Sequence, residues 1–358
     1  MDLTLTAEQS MLVESVHAFP ARRWSLTSVR ALEAAGRAFD RDVWREMAQL
    51  GWLGLEAPAA AGGSAQSFVE TVLVCEELGR ALLPSPFVAT AATAMPLLDG
   101  SAARRWLPRV VSGDAVVTLA LAEPGWRGAW EQPALRLDGG RLTGRKVLVP
   151  FADDADLLLV AVAGPAIVAV ERGAPGFTCT RQATFGGDPS YAVTFDGAPG
   201  ELLELSGLRG DALPRMLDRG ATATLAWLSG ACERVLAMTI EHAKTREQFG
   251  RPIGSFQAVA HRCVDMRSDI DALRVLARRA ACSIAAGRHD DVEVGSAVAY
   301  GLEAVRRILR HAHQVHGAVG FSMEHDLQLF TRRAKAAELA WGPVAWHHER
   351  VARGMGLA

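Results

Sequence analysis

The chain has 358 residues, 49% of them hydrophobic and 22% charged, with a formal net charge of -2 at neutral pH. That length allows two or three domains around a sizeable core, and the near balance of charge excludes a basic nucleic-acid-binding surface. The uncharged run 157–170 is broken by Gly164-Pro165 and falls short of the ~20 residues a membrane-spanning helix needs, so it reads as two buried strands around a turn.

The N-terminus, Met1-Asp2-Leu3-Thr4, lacks the basic-then-apolar plan of a secretory signal, which predicts a cytoplasmic protein. Residues 1–115 read as an all-α domain. Leu12, Val13, Val16 and Phe19 recur at helical spacing, as do Val43, Trp44, Met47 and Leu50 before Gly51. Residues 68–83 form the longest apolar-periodic segment, with Glu76 and Glu77 on its polar side and Pro84 and Pro86 as its stop. A short helix over 103–111 and the pair Gly113-Asp114 end the domain.

From Ala115 the period becomes strand-like. Runs at 116–121, 134–137, 141–144, 146–149, 157–162, 166–170 and 191–195, separated by Gly, Pro and Asp, predict a middle antiparallel, β-barrel-like domain over 116–207. Long helical patterns return at 217–242, 257–287, 292–316 and 327–354, joined by short loops; they predict a C-terminal four-helix bundle over 208–358, an α+β protein overall. Cys75, Cys179, Cys232, Cys263 and Cys282 are odd in number and show no Cys-x-x-Cys spacing, so they read as buried free thiols, with no metal site.

Between the first two C-terminal helices lies Lys244-Thr245-Arg246-Glu247-Gln248-Phe249-Gly250-Arg251-Pro252-Ile253-Gly254-Ser255-Phe256-Gln257. Its Gly and Pro predict a tight corner. Arg246 offers a planar fork of donors to a phosphate or carboxylate, Phe249 offers a flat apolar face, and Gly250 and Gly254 allow close approach to the backbone. On the residues alone the corner is either a nucleotide-binding edge or a capped helix turn with a solvated Arg.

The corner resembles the Arg-x-x-Phe-Gly-x-x-Ile signature, followed by Phe-Gln, of the flavin-dependent acyl-CoA dehydrogenases. A second block, Gln314-Val315-His316-Gly317-Ala318-Val319-Gly320-Phe321-Ser322-Met323-Glu324, resembles the family's Gln-x-x-Gly-Gly-x-Gly-Tyr/Phe segment. The likeness spans essentially the whole chain and implies the acyl-CoA dehydrogenase fold, in which a β-domain separates two helical ones. It also implies FAD as cofactor, an acyl thioester as substrate and an electron-transfer acceptor as redox partner. In the family a Glu removes the proton alpha to the thioester carbonyl while the flavin takes a hydride from the beta carbon.

That Glu is missing here. The resemblance aligns Arg332-Arg333-Ala334-Lys335-Ala336-Ala337-Glu338-Leu339-Ala340-Trp341-Gly342-Pro343 with the helix and loop that carry it, so Trp341 stands at the position of the base. Some members carry the base on the first helix of the bundle instead, a position that falls on Gly220, after Asp218 and Arg219. Glu338, nearly one turn before Trp341, is a candidate relocated base or else a solvated helix-surface residue. Glu324 reads as structural, and His347-His348, with no third ligand at metal spacing, as an exposed helix face.

The family's Thr-Glu-Pro-Gly-x-Gly-Ser flavin cradle corresponds here to Leu121 and the run Ala122-Glu123-Pro124-Gly125-Trp126-Arg127-Gly128, and its Lys-x-Trp-Ile-Thr segment to Lys146-Val147-Leu148-Val149-Pro150. The ring-end cradle, Leu121, Ala122, Gly128, Leu148 and Pro150, is therefore degenerate, while the nucleotide-end motifs persist. In the family's dimers those motifs reach the ADP half of FAD held mainly by a neighbour. The resemblance thus assigns Arg246, Gln248, Phe249, Gln314, Gly317 and Ala318 to FAD binding, the cofactor being shared with a second acyl-CoA dehydrogenase-like subunit or another copy of the chain. Ala318 replaces a family Gly. The segment from Gly317 to Ala334 is similar to the degenerate subunits of actinobacterial heteromeric enzymes that act on bulky thioesters such as steroid side chains. Two other readings stand beside a heterotetramer's non-catalytic subunit. One is a self-sufficient homo-oligomer with Glu338 as base; the other is a flavin-free lyase, cyclase or acyl-binding descendant, marked by turnover without flavin or acceptor.

Overall fold

A computed structural model describes residues 3–126, 132–164, 166–205 and 211–357. The N-terminal helices are α1 (Ala7–Arg23), α2 (Leu26–Ala34), α3 (Arg41–Gln49), α4 (Phe68–Arg80) and α5 (Gly100–Val111). Capping boxes fix two of their starts, Thr6 with Gln9 on α1 and Ser67 with Glu70 on α4. Gly51, at φ +81°, ends the α3 region. A π-helix, Val88–Ala94, follows Pro86, where the sequence suggested only a stop. Its Thr90 hydroxyl donates to the Val117 carbonyl (2.7 Å) and ties the helical domain to the first strand.

The middle domain holds β1 (Val117–Ala120), β2 (Leu137–Asp138), β3 (Arg141–Pro150), β4 (Leu157–Val162), β5 (Ala166–Glu171), β6 (Phe177–Gln182), β7 (Ser190–Pro199) and β8 (Glu201–Leu202). They form two four-stranded sheets, ordered β1-β4-β5-β8 and β2-β3-β7-β6. Pairing is antiparallel except between β1 and β4, which run parallel and are buried along their whole length. The two runs expected at 141–144 and 146–149 are one strand, β3, with register shifts. Strand β6 escapes the sequence reading because its alternating Phe177, Cys179 and Arg181 sit on a half-exposed edge.

Five helices make the C-terminal domain: α6 (Ala212–Thr245), α7 (Gln257–Ala285), α8 (Asp291–His316), α9 (Leu327–Ala340) and α10 (Val344–Gly354). The fourth helix expected over 327–354 is broken at Trp341, Gly342 and Pro343. Gly342 takes φ +104° and Pro343 supplies no N–H, so the helix cannot run through. Among the described residues no helix is long and apolar enough to cross a membrane.

Two contacts lock these layers. Helices α4 and α6 touch backbone to backbone: a Cβ on Gly79 would lie 1.8 Å from the Trp227 carbonyl oxygen, and one on Gly230 would lie 1.7 Å from that of Glu76. Beside this crossing, Glu76 is buried and paired with Arg274 (2.6 Å) and Arg278 (3.1 Å) of α7. Glu77, equally buried, pairs with His17 and Arg80, so neither residue occupies the polar face the periodicity suggested. Farther along, Arg333 of α9 is 3% exposed and joins Glu33 of α2 (2.7 Å) to Asp188 of the middle domain (3.2 Å), making one knot of all three domains. Cys75 and Cys232 are buried free thiols; Cys179, Cys263 and Cys282 are free and half-buried.

Replacing Gly230 by Ala gains about 1 kcal/mol of helix propensity but forces a methyl into a backbone carbonyl, which costs about 3 kcal/mol or more. Gly230→Ala is therefore expected to lower the thermal midpoint by several degrees; a midpoint equal to that of the wild type would show that the two helices can part.

Candidate functional site

The two positions at which the family resemblance places a base, far apart in sequence, meet in space. Trp341 caps α9 with non-helical backbone, φ -123° and ψ 28°. Its indole lies flat against α6: a Cβ on Gly220 would stand 2.5–2.6 Å from three of its ring carbons. The indole N–H donates to Thr224 Oγ1 (2.7 Å), one helical turn beyond Gly220. Trp341 also packs against both apolar cores of the molecule. The indole therefore fills the space a side chain at 220 would need, and neither residue can accept a proton.

Below this contact the charges are buried and paired. Asp218 and Arg350, each under 5% exposed, are 2.7 Å apart, and Arg350 also reaches Asp291. Arg219 is bound to both carboxylate oxygens of Glu56 and to the Ala92 carbonyl, with its guanidinium 4.0 Å from the Phe68 ring centroid. His347 is wholly buried, which corrects its reading as an exposed helix face; His348 alone faces solvent. The Nε2 of His347 donates to the Trp341 carbonyl (3.1 Å), and burial, reinforced by Arg350, pushes the His347 pKa down to about 4, so it is neutral at pH 7. The three-residue spacing of Val344, His347 and Arg350, all buried, is the signal that would have marked this face.

Glu338 is not the solvated residue of the sequence reading. It is buried, and its carboxylate binds Arg306 of α8 and Lys335 (3.1 and 3.2 Å). Burial raises its pKa, but the hydrogen bonds from Arg306 and Lys335 more than reverse that and leave it below the usual range. Because the helix ends at Ala340, the one-turn spacing to Trp341 does not put the two on one face: the carboxylate addresses α8 and the indole addresses α6. Glu324 accepts from the Ser322 hydroxyl (2.9 Å), in a segment clamped by Arg30 through the Met323 and Glu324 carbonyls and Asp326.

The ring-end cradle is closed on itself. The Ala122 carbonyl accepts from the Val147 N–H (2.8 Å), and the Leu121 carbonyl from Lys146 Nζ (3.0 Å). Lys146, wholly buried, also pairs with Glu123 (2.6 Å), and burial draws its pKa down. Pro150 accepts a hydrogen bond from Thr118 at its carbonyl (2.7 Å). Leu148, at the family's Trp position, sits on the bulge of β3 at φ +55° with 49% of its surface exposed. Such a conformation is costly for a residue with a side chain. Gly128 lies outside the described residues. These groups fit the isoalloxazine end of FAD poorly: the hydroxyl donors are replaced, and two backbone acceptors are already used.

The nucleotide-end residues gather differently. Gln248 and Arg251 pair in a two-stranded hairpin, β9 (Glu247–Gln248) and β10 (Arg251–Pro252), whose tip is Phe249 (φ +53°) and Gly250 (φ +76°). Phe249 is 94% exposed, held edge-on to Phe256 and backed by Arg251 over that ring. His242 of α6 stacks on His316 of α8 at 4.6 Å, which puts Arg246, one turn past His242, at the same end of the bundle as Gln314, Gly317 and Ala318. All six family-assigned residues here are exposed, and among the described residues Arg246 has no carboxylate partner. Gly317 needs its left-handed φ of +62°, and a Cβ there would meet nothing. Burial and the neighbouring imidazoles push the His316 pKa down to about 4. An exposed cation, an aromatic plate and open glycines fit a nucleotide diphosphate.

The comparisons with known proteins identify the family. Residues 6–114 match the description "Acyl-CoA dehydrogenase, N-terminal domain" and residues 211–356 the description "Acyl-CoA dehydrogenase, C-terminal domain". The chain is 34% identical to acyl-CoA dehydrogenase FadE27 of Mycobacterium tuberculosis over 351 residues, 90% of each. It is similar to a chain of the ChsE4-ChsE5 complex of the same organism at 31% identity and TM-score 0.89, with all of both chains covered. It is similar also to a chain of the Tcur3481-Tcur3483 steroid ACAD at 30% identity and TM-score 0.88, covering 98% and 97%.

If Glu338 only braces α9 against α8, Glu338→Gln leaves turnover of the assembled enzyme unchanged and costs about 1–3 kcal/mol of stability. Turnover lost with the melting temperature intact would instead mark Glu338 as the base.

Proposed function

The chain belongs to the acyl-CoA dehydrogenase family, an FAD-binding family, and from that premise we propose that it is a subunit that completes a partner's FAD site without a catalytic base of its own. The observation that carries this reading is the Gly220–Trp341 contact. Both positions that could present a carboxylate to the alpha proton are filled by one indole ring. Glu338, the remaining candidate for a base, is tied to Arg306 and Lys335 on another face.

What this chain gives is the opposite end of the site. Arg246 presents five fixed N–H donors to a pyrophosphate, Phe249 presents its face to an adenine, and Gln248, Gln314, Gly317 and Ala318 shape the rest of that surface. When bound, FAD supplies the hydride acceptor for alpha,beta-desaturation of the thioester. The partner is a second acyl-CoA dehydrogenase-like subunit, a reading supported by the likeness to the ChsE4-ChsE5 complex. Likeness to a steroid ACAD supports a bulky acyl thioester, such as a steroid side chain, as the substrate of the assembly. An electron-transfer acceptor then reoxidises the cofactor.

Arg246→Ala in the co-expressed pair is expected to weaken FAD binding by about 10- to 100-fold, the equivalent of losing about 1.5–3 kcal/mol of charged hydrogen bonds. Visible flavin absorbance per complex reads the effect directly. Flavin content equal to the wild type would sink the proposal, and one flavin per subunit in the chain purified alone would favour a self-sufficient homo-oligomer.

A further inference from the structure

Trp341 is held by more than packing. Its indole N–H is bonded to Thr224 Oγ1 and its backbone carbonyl to His347 Nε2. On the far side the chain turns at Gly342, where a Cβ would lie 2.7 Å from the Trp346 ring, and Trp346 stands edge-on to His347 at 4.8 Å. The Asp218–Arg350 pair below fixes α10 to α6. The residue therefore has three dedicated partners: Gly220 against the ring, Thr224 at its nitrogen, and His347 at its backbone carbonyl. Two different helices thus fix the residue, α6 through the indole nitrogen and α10 through the backbone carbonyl.

The reacting carbons of a thioester must lie beside the base that attacks them, so the ground between positions 220 and 341 is where an acyl chain would have to enter. We propose that Trp341, latched by Thr224 and His347, is a specificity-determining plug that keeps the acyl group of CoA thioesters out of this subunit. Thr224 and His347 are positioning residues for it. The inference rests on the reading that this chain carries no base of its own, and it adds that the vacated site is sealed. Thioester is thereby left to the subunit able to oxidise it rather than being bound unproductively here.

The test is calorimetric titration of the purified full-length chain with octanoyl-CoA and, separately, with free CoA, because their ratio isolates the acyl contribution. The wild type is expected to bind octanoyl-CoA no more than about threefold tighter than CoA. Trp341→Ala should raise that ratio to about tenfold or more, and Thr224→Val, which keeps the indole and the volume but removes its acceptor, should raise it above the wild type. Thr224→Val keeps the question open to refutation should Trp341→Ala not fold. A wild type that already prefers octanoyl-CoA by more than about threefold, or folded variants with the wild-type ratio, would overturn the plug. A loosened helix junction alone would lower the melting temperature without changing the ratio. The flavin content of Arg246→Ala complexes is independent of this ratio, so plug and shared cofactor site can fail separately.

Discussion

The backbone contact between α4 and α6 sets the geometry of everything around it. Two glycines, Gly79 and Gly230, bring the helices together until only hydrogen atoms separate them, and no side chain can be added at either place. With α6 held at that depth, its earlier turns run beneath the π-helix and the first sheet. Gly220 and Thr224 then face the end of α9 rather than solvent. The buried Glu76, shared by Arg274 and Arg278, makes the same crossing dependent on α7. Removing one partner would strand a charge in a place water does not reach, so the helices are fixed by polarity as well as by fit.

Strain is distributed unevenly over the functional surface. Phe249 and Leu148 both hold left-handed backbone with their side chains largely in solvent, the first at the hairpin tip and the second on the bulge of β3. Neither conformation is repaid by burial within this chain. At Phe249, on the reading proposed above, the strain serves a surface offered to a nucleotide. At Leu148 the carbonyls of Leu121 and Ala122 nearby are consumed by Lys146 and Val147, so the bulge stands beside groups already hydrogen-bonded.

Much of this was legible in the sequence. Glycine and proline at 250–254 announced the corner, the change of period at Ala115 announced the inserted sheets, and the absence of a carboxylate at 220 and 341 was visible residue by residue. What periodicity could not supply was the meeting of those two positions, since it depends on how deeply α6 and α9 pack. The break after Ala340 was masked by apolar residues that keep helical spacing on both sides of it. His347 looked like half of an exposed pair because a dipeptide does not reveal that one member faces inward; Thr224, a small polar residue in a long helix, carried no signal until the indole beside it was seen. Glu76 and Glu338 looked like solvent-facing acids because their Arg partners lie on other helices, and Glu77 because the His17 that meets it belongs to α1. The parallel pairing of β1 with β4 is set by the long excursion between them, which alternation alone does not encode.

The Arg333 knot bears on how such a chain can change over time. One guanidinium, out of reach of water, is neutralised by Glu33 from the first helical domain and Asp188 from the sheet domain. None of the three segments can be exchanged for a foreign one without leaving a buried charge unanswered. A replacement for any one segment would have to bring its own charge to that point, so the three segments are coupled as a single unit rather than as interchangeable modules.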